Sequence, residues 1–274
     1  MQSDNQRYDS YRLPVPKEYD SVFSHFYIAA NNTADSITKT LLPSFQTIMV
    51  LSFGSSVLMS SEHQTSFAMD KCIVLGPIKS AFEYTLSPQA QIMVINFKDD
   101  AFYRFFGQAI ISEFQPCDPD DITENNCFHN LWHQLNQLKD TWQRIDCLLS
   151  FCRPYLSPQN KTASLLANFK SDIQHPIKSI ADETGQSERN IQLKQKKYFG
   201  YSAKELARYR RFMKTIELIQ TLTLSDHMID WFEVIDKCGY YDQSQLIHDF
   251  KYYINLSPKN YLKFQQDICQ SAAD

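Results

Sequence analysis

The stretch from Cys238 to Tyr261 constrains the fold of this chain more than any other part of it. A glycine followed by an aromatic residue predicts a turn, and the residues after it have the periodicity of an amphipathic helix. Its apolar positions are Leu246, Phe250 and Tyr253, and its opposite face carries Ser244, Gln245, His248 and Lys251. Short polar and amide side chains followed by a base suit a helix that touches base edges and phosphates in a DNA major groove. On periodicity alone, an ordinary surface helix explains the pattern equally well.

The order of residues in this stretch resembles the second helix-turn-helix of the AraC/XylS family of bacterial transcription regulators. The matching residues are Gly239, Tyr240, Asp242, Gln243, Ser244, Phe250, Ser257, Pro258 and Tyr261. Asn255 stands where the family usually has glycine, and both residue types tolerate the left-handed backbone at a helix C-terminus. Gln245 replaces a common histidine, while Ile235 and Asp236 replace small and apolar residues of the supporting helix. The resemblance implies a C-terminal DNA-binding domain with two such units.

An upstream copy of the pattern lies between residues 177 and 206. Gly185 predicts the turn between its two helices, and Ser187 predicts the N-cap of the second helix. The residues that match the family are Ala181, Gly185, Ser187, Arg189, Ile191, Gln192, Gly200 and Ser202. Leu193 occupies an outward position where the family commonly has arginine, and Gln195 occupies one that is usually an inward phenylalanine. The first unit is therefore recognisable, but it departs from the family pattern at these two positions.

The segment between the two units predicts a helix over residues 203–222, because apolar residues recur with helical spacing and no glycine or proline interrupts them. Twenty residues at ~1.5 Å each span about 30 Å, close to the ~34 Å helical repeat of DNA. Such a linker could place two recognition helices in successive major grooves. From Ser187 to Lys214, nine lysines and arginines stand against two glutamates, a net charge of +7. This density of charge favours phosphate binding, and a solvated helix face is the alternative.

The N-terminal half has a different pattern of apolar and polar residues. From about residue 20 to 115, short apolar runs alternate with polar turns at spacings typical of a small β-barrel or sandwich. Helical periodicity then runs from Phe128 to about Leu156, and the sequence SPQNK after it predicts a boundary. A β-barrel followed by helices is the arrangement of the effector and dimerisation domain in the AraC family.

Most of residues 11–115 also resembles an uncharacterised N-terminal domain that is often fused to such DNA-binding halves. We therefore expect an α+β chain of two domains. Residues 1–160 are expected to form a cupin-like β-barrel with following helices, which binds an effector or dimerises. Residues 165–274 are expected to form an all-α domain in which a long helix joins two helix-turn-helix units.

Composition limits the class of protein. The 274 residues are 43% hydrophobic, which indicates folded cores, and the net charge of −4 means that any positive potential is local. No stretch approaches the ~20 apolar residues of a membrane span, and the first ten residues lack the apolar core of a signal peptide. Seven cysteines without CxxC spacing favour a reducing compartment over a disulfide framework or zinc finger. We expect a cytoplasmic protein without membrane contact.

Some side chains of the N-terminal half could bind a metal ion or a ligand, and the alternative is that they pack in the core or lie on the surface. His129 and His133 have a metal-binding i, i+4 spacing with Cys127 nearby, but no acidic partner completes an HExxH motif. His25 and His63 stand alone, whereas a cupin-type enzyme needs clustered ligands. Aromatic residues could line an effector pocket or form plain core: Phe23, Phe26, Tyr27, Phe53, Phe67, Phe82, Tyr84 and Phe97. We expect no catalytic residue, no metal site and no cofactor.

These patterns and the resemblance predict a sequence-specific DNA-binding transcription regulator that is not an enzyme. Base contacts are expected from Gln243, Ser244, Gln245 and His248 in the second unit, and from Asn190 and Gln192 in the first. Phosphate contacts are expected from Arg189, Lys196, Lys197, Arg208, Arg211 and Lys251.

The resemblance implies double-stranded DNA and a second copy of the chain as partners, and it allows a small-molecule effector and RNA polymerase as further ones. The competing hypothesis is a sensor or interaction protein on the same fold, in which the eroded first unit no longer reads DNA. The third hypothesis is an enzyme whose active site lies in the β-barrel.

Overall fold

The computed structural model describes residues 7–61, 66–109, 116–123, 126–168, 176–224 and 229–263. The chain divides into two compact units, Met1–Ser202 and Ala203–Asp274. The boundary expected at residues 160–165 falls inside the first unit, because a helix that follows it contacts the N-terminal half.

The described part of the N-terminal half contains nine strands. They are β1 (Tyr8–Leu13), β2 (Phe23–Asn31), β3 (Ile37–Leu41), β4 (Ile48–Gly54), β5 (Val57–Ser61), β6 (Ser66–Met69), β7 (Cys72–Leu75), β8 (Phe82–Leu86) and β9 (Ala90–Phe97). A five-stranded sheet has the order β1-β2-β9-β4-β7, and a four-stranded sheet has the order β3-β8-β5-β6. Neighbouring strands are antiparallel. The ladders among these strands form two sheets and do not close into one hydrogen-bonded ring, so the expected barrel is present as two packed sheets.

The central strands of the five-stranded sheet are buried on both faces. In β4, Ile48 and Val50 pack towards the four-stranded sheet, whereas Met49, Leu51 and Phe53 pack towards helices on the other side. Successive side chains of a strand point to opposite faces, so a strand covered on both sides has to be apolar throughout. This explains the uninterrupted apolar runs in β4 and β9.

Seven helices lie in the described part of the first unit. They are α1 (Ala101–Phe106), α2 (Pro119–Thr123), α3 (Cys127–Gln137), α4 (Thr141–Cys152), α5 (Lys161–Asn168), α6 (Pro176–Thr184) and α7 (Glu188–Phe199), with short 3-10 turns at Lys17–Tyr19 and Arg153–Tyr155. The helical pattern predicted between residues 128 and 156 is confirmed by α3 and α4, whose apolar faces bury Phe128, Leu131 and Ile145 against the five-stranded sheet.

A buried arginine ties α4 to its surroundings. Arg144 Nε donates to the carbonyl oxygen of Leu138 at 2.9 Å, and its Nη1 donates to Gln91 Oε1 at 2.6 Å. The guanidinium carbon lies 3.9 Å from the centre of the Phe53 ring. Because each polar atom named here has a partner, the charge is accommodated beside an aromatic core.

The second unit contains α8 (Ala203–Leu224), α9 (Trp231–Cys238) and α10 (Gln243–Ile254), followed by helical residues 258–263. The long helix predicted over residues 203–222 is confirmed and extends to Leu224. It packs Phe212 against Tyr253 of α10, with ring centres 4.6 Å apart. Within the described ranges, no helix combines the length and apolar character that crossing a lipid bilayer requires.

Candidate nucleic-acid interface

Helices α9 and α10 form a helix-turn-helix. Gly239 ends α9 with φ of 76°, a left-handed conformation that glycine adopts without a steric penalty. Asp242 is the N-cap of α10, and its Oδ1 accepts a hydrogen bond from Gln245 N at 2.8 Å. Asn255 ends α10 with φ of 55°, as its place in the sequence pattern predicts. The turn between the two helices is therefore fixed at both ends by local backbone chemistry.

The two faces of α10 are separated as expected. Leu246, Phe250 and Tyr253 are buried. The predicted DNA contacts Gln243, Ser244, His248 and Lys251 are exposed. These four polar side chains are accessible to a ligand outside the protein.

Gln245 differs from the other predicted base contacts. It is half-buried, and its Oε1 accepts a hydrogen bond from Tyr241 N at 3.0 Å. Together with the bond from Gln245 N to Asp242, this forms a reciprocal cap at the start of α10. Gln245 therefore has a structural role that the sequence pattern did not indicate, and the NH2 of its amide carries the donors that remain for DNA.

A buried carboxylate joins α10 to α8. Asp249 is 1% exposed, and its Oδ1 accepts from Arg208 Nε at 2.6 Å while its Oδ2 accepts from Arg211 Nη2 at 3.0 Å. Arg208 and Arg211 were expected to hold phosphates, but both guanidinium groups are engaged inside the unit. A hydrogen-bonded ion pair of this kind fixes the rotation of α10 on α8.

Arg208 also contacts the outward face of α10. Its Nη2 lies 2.9 Å from Nδ1 of His248, and its guanidinium carbon lies 4.5 Å from the centre of the Tyr252 ring. The arginine is thus held by a carboxylate and an aromatic ring while it touches a predicted base-reading residue.

The upstream copy, which is the first helix-turn-helix in the chain, is made of α6 and α7. Gly185 has φ of 65° in the turn, and Ser187 Oγ accepts a hydrogen bond from Asn190 N at 3.3 Å. The turn and the N-cap predicted from the sequence are confirmed. Ile177, Ile180 and Ile191 are buried on the inner faces of the two helices.

The outward face of α7 is polar and basic. Arg189, Asn190, Gln192, Lys196 and Lys197 are exposed. Asn190 Nδ2 donates to Gln186 Oε1 at 3.0 Å, and Lys194 Nζ donates to the same oxygen at 2.6 Å. The predicted contacts of the first unit are therefore accessible, with Asn190 already oriented by a neighbouring side chain.

Leu193 and Gln195 settle the orientation of α7. Leu193 is 61% exposed, whereas Gln195 is 1% exposed and its Oε1 has no hydrogen-bond partner in the described part of the chain. A rotation of the helix that buries Leu193 in place of the missing apolar group does not occur. The helix keeps the register expected from the family pattern, with leucine outward and glutamine inward.

The helix-turn-helix of α6 and α7 also contacts the N-terminal half. The rings of Tyr103 on α1 and Tyr198 on α7 have centres 4.9 Å apart, and Lys197 Nζ lies 5.5 Å from the centre of the Tyr103 ring. Phe45 and Tyr201 pack edge to face with centres 5.2 Å apart. Lys197 is thus beside an aromatic ring of its own chain, while Lys196 points away from the buried face of α7.

The eight aromatic residues considered as pocket lining lie on both sides of the five-stranded sheet. Facing the helices are Phe23, Phe26, Phe53 and Phe97, and facing the space between the sheets are Tyr27, Phe67, Phe82 and Tyr84. A single pocket lined by all eight is therefore wrong, because alternate side chains of a strand point in opposite directions.

Three tyrosine hydroxyls meet between the two sheets. Tyr84 Oη lies 2.8 Å from Tyr8 Oη and 2.8 Å from Tyr27 Oη, and the latter two are 3.2 Å apart. Burial, with hydrogen bonds from the other two phenols, raises the pKa of Tyr84 far above its ordinary value. The three phenols form a polar cluster in which Tyr84 is buried and Tyr8 and Tyr27 are half-buried.

The candidate metal ligands of the N-terminal half have other contacts. His129 Nε2 lies 2.9 Å from Lys71 Nζ, and the rings of His129 and His133 have centres 4.8 Å apart. Among residues whose placement is described, no three His, Cys, Asp or Glu side chains are grouped to hold a metal ion.

The cysteines have the environment of packed thiols. Burial raises the pKa of Cys152 to about 12 and raises the pKa of Cys72 well above its usual value. Cys117 and Cys147 also have raised pKa values because they are partly buried. Cys269 lies outside the described residues. A raised pKa keeps a thiol protonated and unreactive at neutral pH.

Several solved structures are similar to the chain, whereas no protein-family model and no curated protein sequence matches it. ToxT from Vibrio cholerae is 14% identical over 93% of this chain and 97% of its own, with a TM-score of 0.39. Unsaturated fatty acid bound ToxT from Vibrio cholerae strain SCE256 is 14% identical over 86% of this chain and 94% of its own, with a TM-score of 0.38. The cupin domain of an XRE family transcriptional regulator from Enterobacter cloacae is 11% identical over 33% of this chain and 96% of its own, with a TM-score of 0.26.

Proposed function

We propose that the chain is a transcription regulator of the AraC/XylS type, which binds specific DNA sites through two helix-turn-helix units and is not an enzyme. A protein with this role acts in the cytoplasm, where the bacterial chromosome lies. The observation that carries the proposal is the matched geometry of α7 and α10. Each follows a turn with a left-handed glycine, begins at a side-chain N-cap, buries an apolar face and exposes polar and basic residues.

The outward faces of α10 and α7 contribute different contacts with DNA. In the second unit, His248 with Gln243 and Ser244 supplies hydrogen-bonding groups of the kind that read base edges, and Gln245 adds an amide NH2. In the first, Asn190 and Gln192 are the amide side chains on the outward face. Phosphates are held by exposed cations: Arg189, Lys196, Lys197 and Lys251. Arg208 and Arg211 contribute positive potential beside the site while each donates a hydrogen bond to Asp249.

Salt titration of binding to duplex DNA tests the proposal. Association should weaken steeply with salt, and Lys196→Gln should lower the slope by ~0.9, the share of one phosphate contact. Lys17→Gln is the matched control, because it removes the same charge from an exposed position outside α3, α4 and both helix-turn-helix units. Equal salt slopes for the two variants would show that Lys196 on α7 does not contact DNA phosphates. Binding with no preference among random-sequence duplexes in mobility-shift selection would contradict sequence-specific recognition.

The N-terminal half is proposed to sense a small molecule between its sheets. The tyrosine cluster of Tyr8, Tyr27 and Tyr84 supports this role, because three hydroxyls offer donors and acceptors to a ligand in an apolar environment. Tyr84→Phe removes the hydroxyl shared by two of the hydrogen bonds. If an effector binds there, this variant should change the effector concentration needed for half-maximal regulation of a reporter gene, whereas Tyr11→Phe on the exposed side of β1 should not.

Dimerisation through α3 and α4 is part of the same proposal, as is transcriptional control through RNA polymerase. Trp142 on α4 is 52% exposed, which is unusual for a large aromatic residue and suits a contact with a second copy. Sedimentation should show a dimer that Trp142→Glu weakens. A wild-type monomer at tens of micromolar, about the range of transient contacts, would contradict this step. Transcription from a bound promoter with purified RNA polymerase tests the last step.

A further inference from the structure

We propose that Arg208 is a positioning residue that sets the tautomer of His248, so that His248 reads a hydrogen-bond acceptor on a base and favours guanine over cytosine. The proposal rests on the proposed function and names the base chemistry of its second unit.

The position of Arg208 is fixed on three sides. Its Nε donates to the buried carboxylate of Asp249 at 2.6 Å, and Tyr252 packs on the guanidinium plane at 4.5 Å. The remaining edge points to His248, with Nη2 at 2.9 Å from Nδ1. An arginine held by a buried anion and a ring has little freedom to turn away, so the contact with His248 is maintained by the packing of α8 on α10.

The chemistry of the two groups decides which of them donates. A guanidinium has five N–H donors and no acceptor, so the imidazole nitrogen that faces it has to be the acceptor. Nδ1 therefore carries no proton, and in the neutral ring the proton lies on Nε2. His248 consequently presents an N–H donor on the edge that faces away from Arg208.

The location of His248 makes this donor useful. The side chain is exposed, one turn after Ser244 on the polar face of α10. In the major groove, guanine offers two acceptors, N7 and O6, whereas cytosine offers a donor. A single N–H donor therefore matches guanine, as it does the acceptors adenine N7 and thymine O4, and meets another donor at cytosine. One hydrogen bond of ~0.5–1.5 kcal/mol corresponds to a discrimination of roughly twofold to twelvefold.

The first arm of the test observes the tautomer without DNA. Long-range proton–nitrogen NMR on the full-length chain with labelled histidine, at about pH 8 where histidine is ordinarily neutral, distinguishes the protonated from the bare ring nitrogen. His248→Asn identifies the signal among the seven histidines. The expected spectrum has the proton on Nε2 in the wild type and a mixture of tautomers in Arg208→Gln, because glutamine can donate or accept. Arg208→Lys should restore the wild-type form, since lysine only donates.

The second arm measures base preference by selection from randomised duplexes. Wild type should select against cytosine and favour guanine over it at one position, His248→Asn should lose that discrimination, and Arg208→Gln should reduce it. Arg211→Gln is the matched control, because it removes the other partner of Asp249 without touching His248. It should leave the preference between guanine and cytosine unchanged, although the lost positive charge lowers the overall affinity for DNA.

Each outcome decides a different point. A proton on Nδ1 of wild-type His248 would overturn the inference even if the chain binds specific DNA. Equal base preferences for Arg208→Gln and Arg211→Gln would overturn it too, since both variants disturb Asp249 alike. Failure of the wild type to select any sequence, with the Nε2 proton present, would instead overturn the proposed function and the base-reading role with it.

Discussion

Asp249 Oδ1 accepts a hydrogen bond from Arg208 Nε at 2.6 Å, which places a buried carboxylate of α10 against the basic helix α8. The carboxylate is almost fully buried, whereas its arginine partners keep about a quarter to a third of their side-chain surface exposed. A buried charge without a counter-charge costs far more free energy than an exposed one. The ion pair is therefore asymmetric: the arginines could turn to water if the carboxylate were removed, but the carboxylate could not.

We expect the double variant Arg208→Met/Arg211→Met to destabilise the second unit by about 3 kcal/mol or more, because it leaves Asp249 buried and unpaired. Adding Asp249→Val to the double variant should recover much of the loss, since the buried charge is then gone. Hydrogen exchange of α8 and α10 peptides, followed by mass spectrometry, measures the local stability. A triple variant that is less stable than the double variant would contradict this account of the pair.

The role of Asp249 had a signal in the sequence. The residue lies three positions after Leu246 and four before Tyr253, so helical periodicity places it on the buried stripe of α10. A carboxylate there requires a cation from a neighbouring helix, and α8 carries Arg208 and Arg211 one turn apart. Phosphate binding is the first role that a basic cluster indicates, and for these two arginines the structure adds a different partner.

Local patterns predicted local structure well, and long-range arrangement less well. Ser187, Gly239 and Asn255 act within one turn of a helix, so their roles as caps and turns could be read from neighbouring residues. The division of the strands into two sheets depends on pairings such as Ile48 with Asn96, which are distant in the sequence. Apolar runs reveal that such strands are buried but not which strands they pair with.

The buried amide of Gln195 predicts a stabilising substitution. Its Oε1 has no hydrogen-bond partner among the described residues, and an unsatisfied buried polar group costs ~1–3 kcal/mol. Gln195→Met keeps a similar volume and removes the polar atoms, so it should raise the melting temperature of the compact unit Met1–Ser202. Gln192→Met, on the exposed face of the same helix, should change it little. A lower melting temperature for Gln195→Met would indicate that the amide is satisfied in solution.

Buried tyrosines of the second unit predict a loss of stability at alkaline pH. Burial raises the pKa of Tyr209 to about 12 and that of Tyr240 to about 12, whereas an unfolded tyrosine has a pKa of about 10. The folded state therefore favours the neutral phenols, and their contribution is complete below about pH 10 and is lost as the pH rises towards 12.

Urea unfolding followed by circular dichroism at several pH values between 9 and 12 measures this loss. Tyr240→Phe should reduce the pH dependence, because one of the phenols with a raised pKa is removed. Tyr241→Phe is the matched control, since this neighbouring side chain is 91% exposed. Identical pH profiles for the two variants would rule out a contribution from Tyr240.

Leu193 gives the last prediction, because its outward position on α7 carries an apolar side chain where the family pattern has arginine. The residue is 61% exposed, so Leu193→Arg should leave the melting temperature nearly unchanged. It should strengthen binding to DNA in general through its charge, and to sites with guanine opposite α7 in particular. A bidentate arginine–guanine contact is worth ~1–3 kcal/mol of base discrimination.

Leu193→Gln separates the two effects, since it is polar but uncharged. It should not produce the general gain in affinity, and it should not create a preference for guanine, because the bidentate donor pair of arginine is absent. Mobility-shift titrations on matched duplexes that differ at a single base pair measure both quantities. A well-folded Leu193→Arg protein with no gain in affinity on any duplex would mean that this face of α7 does not approach DNA, and sequence reading would then belong to α10 alone.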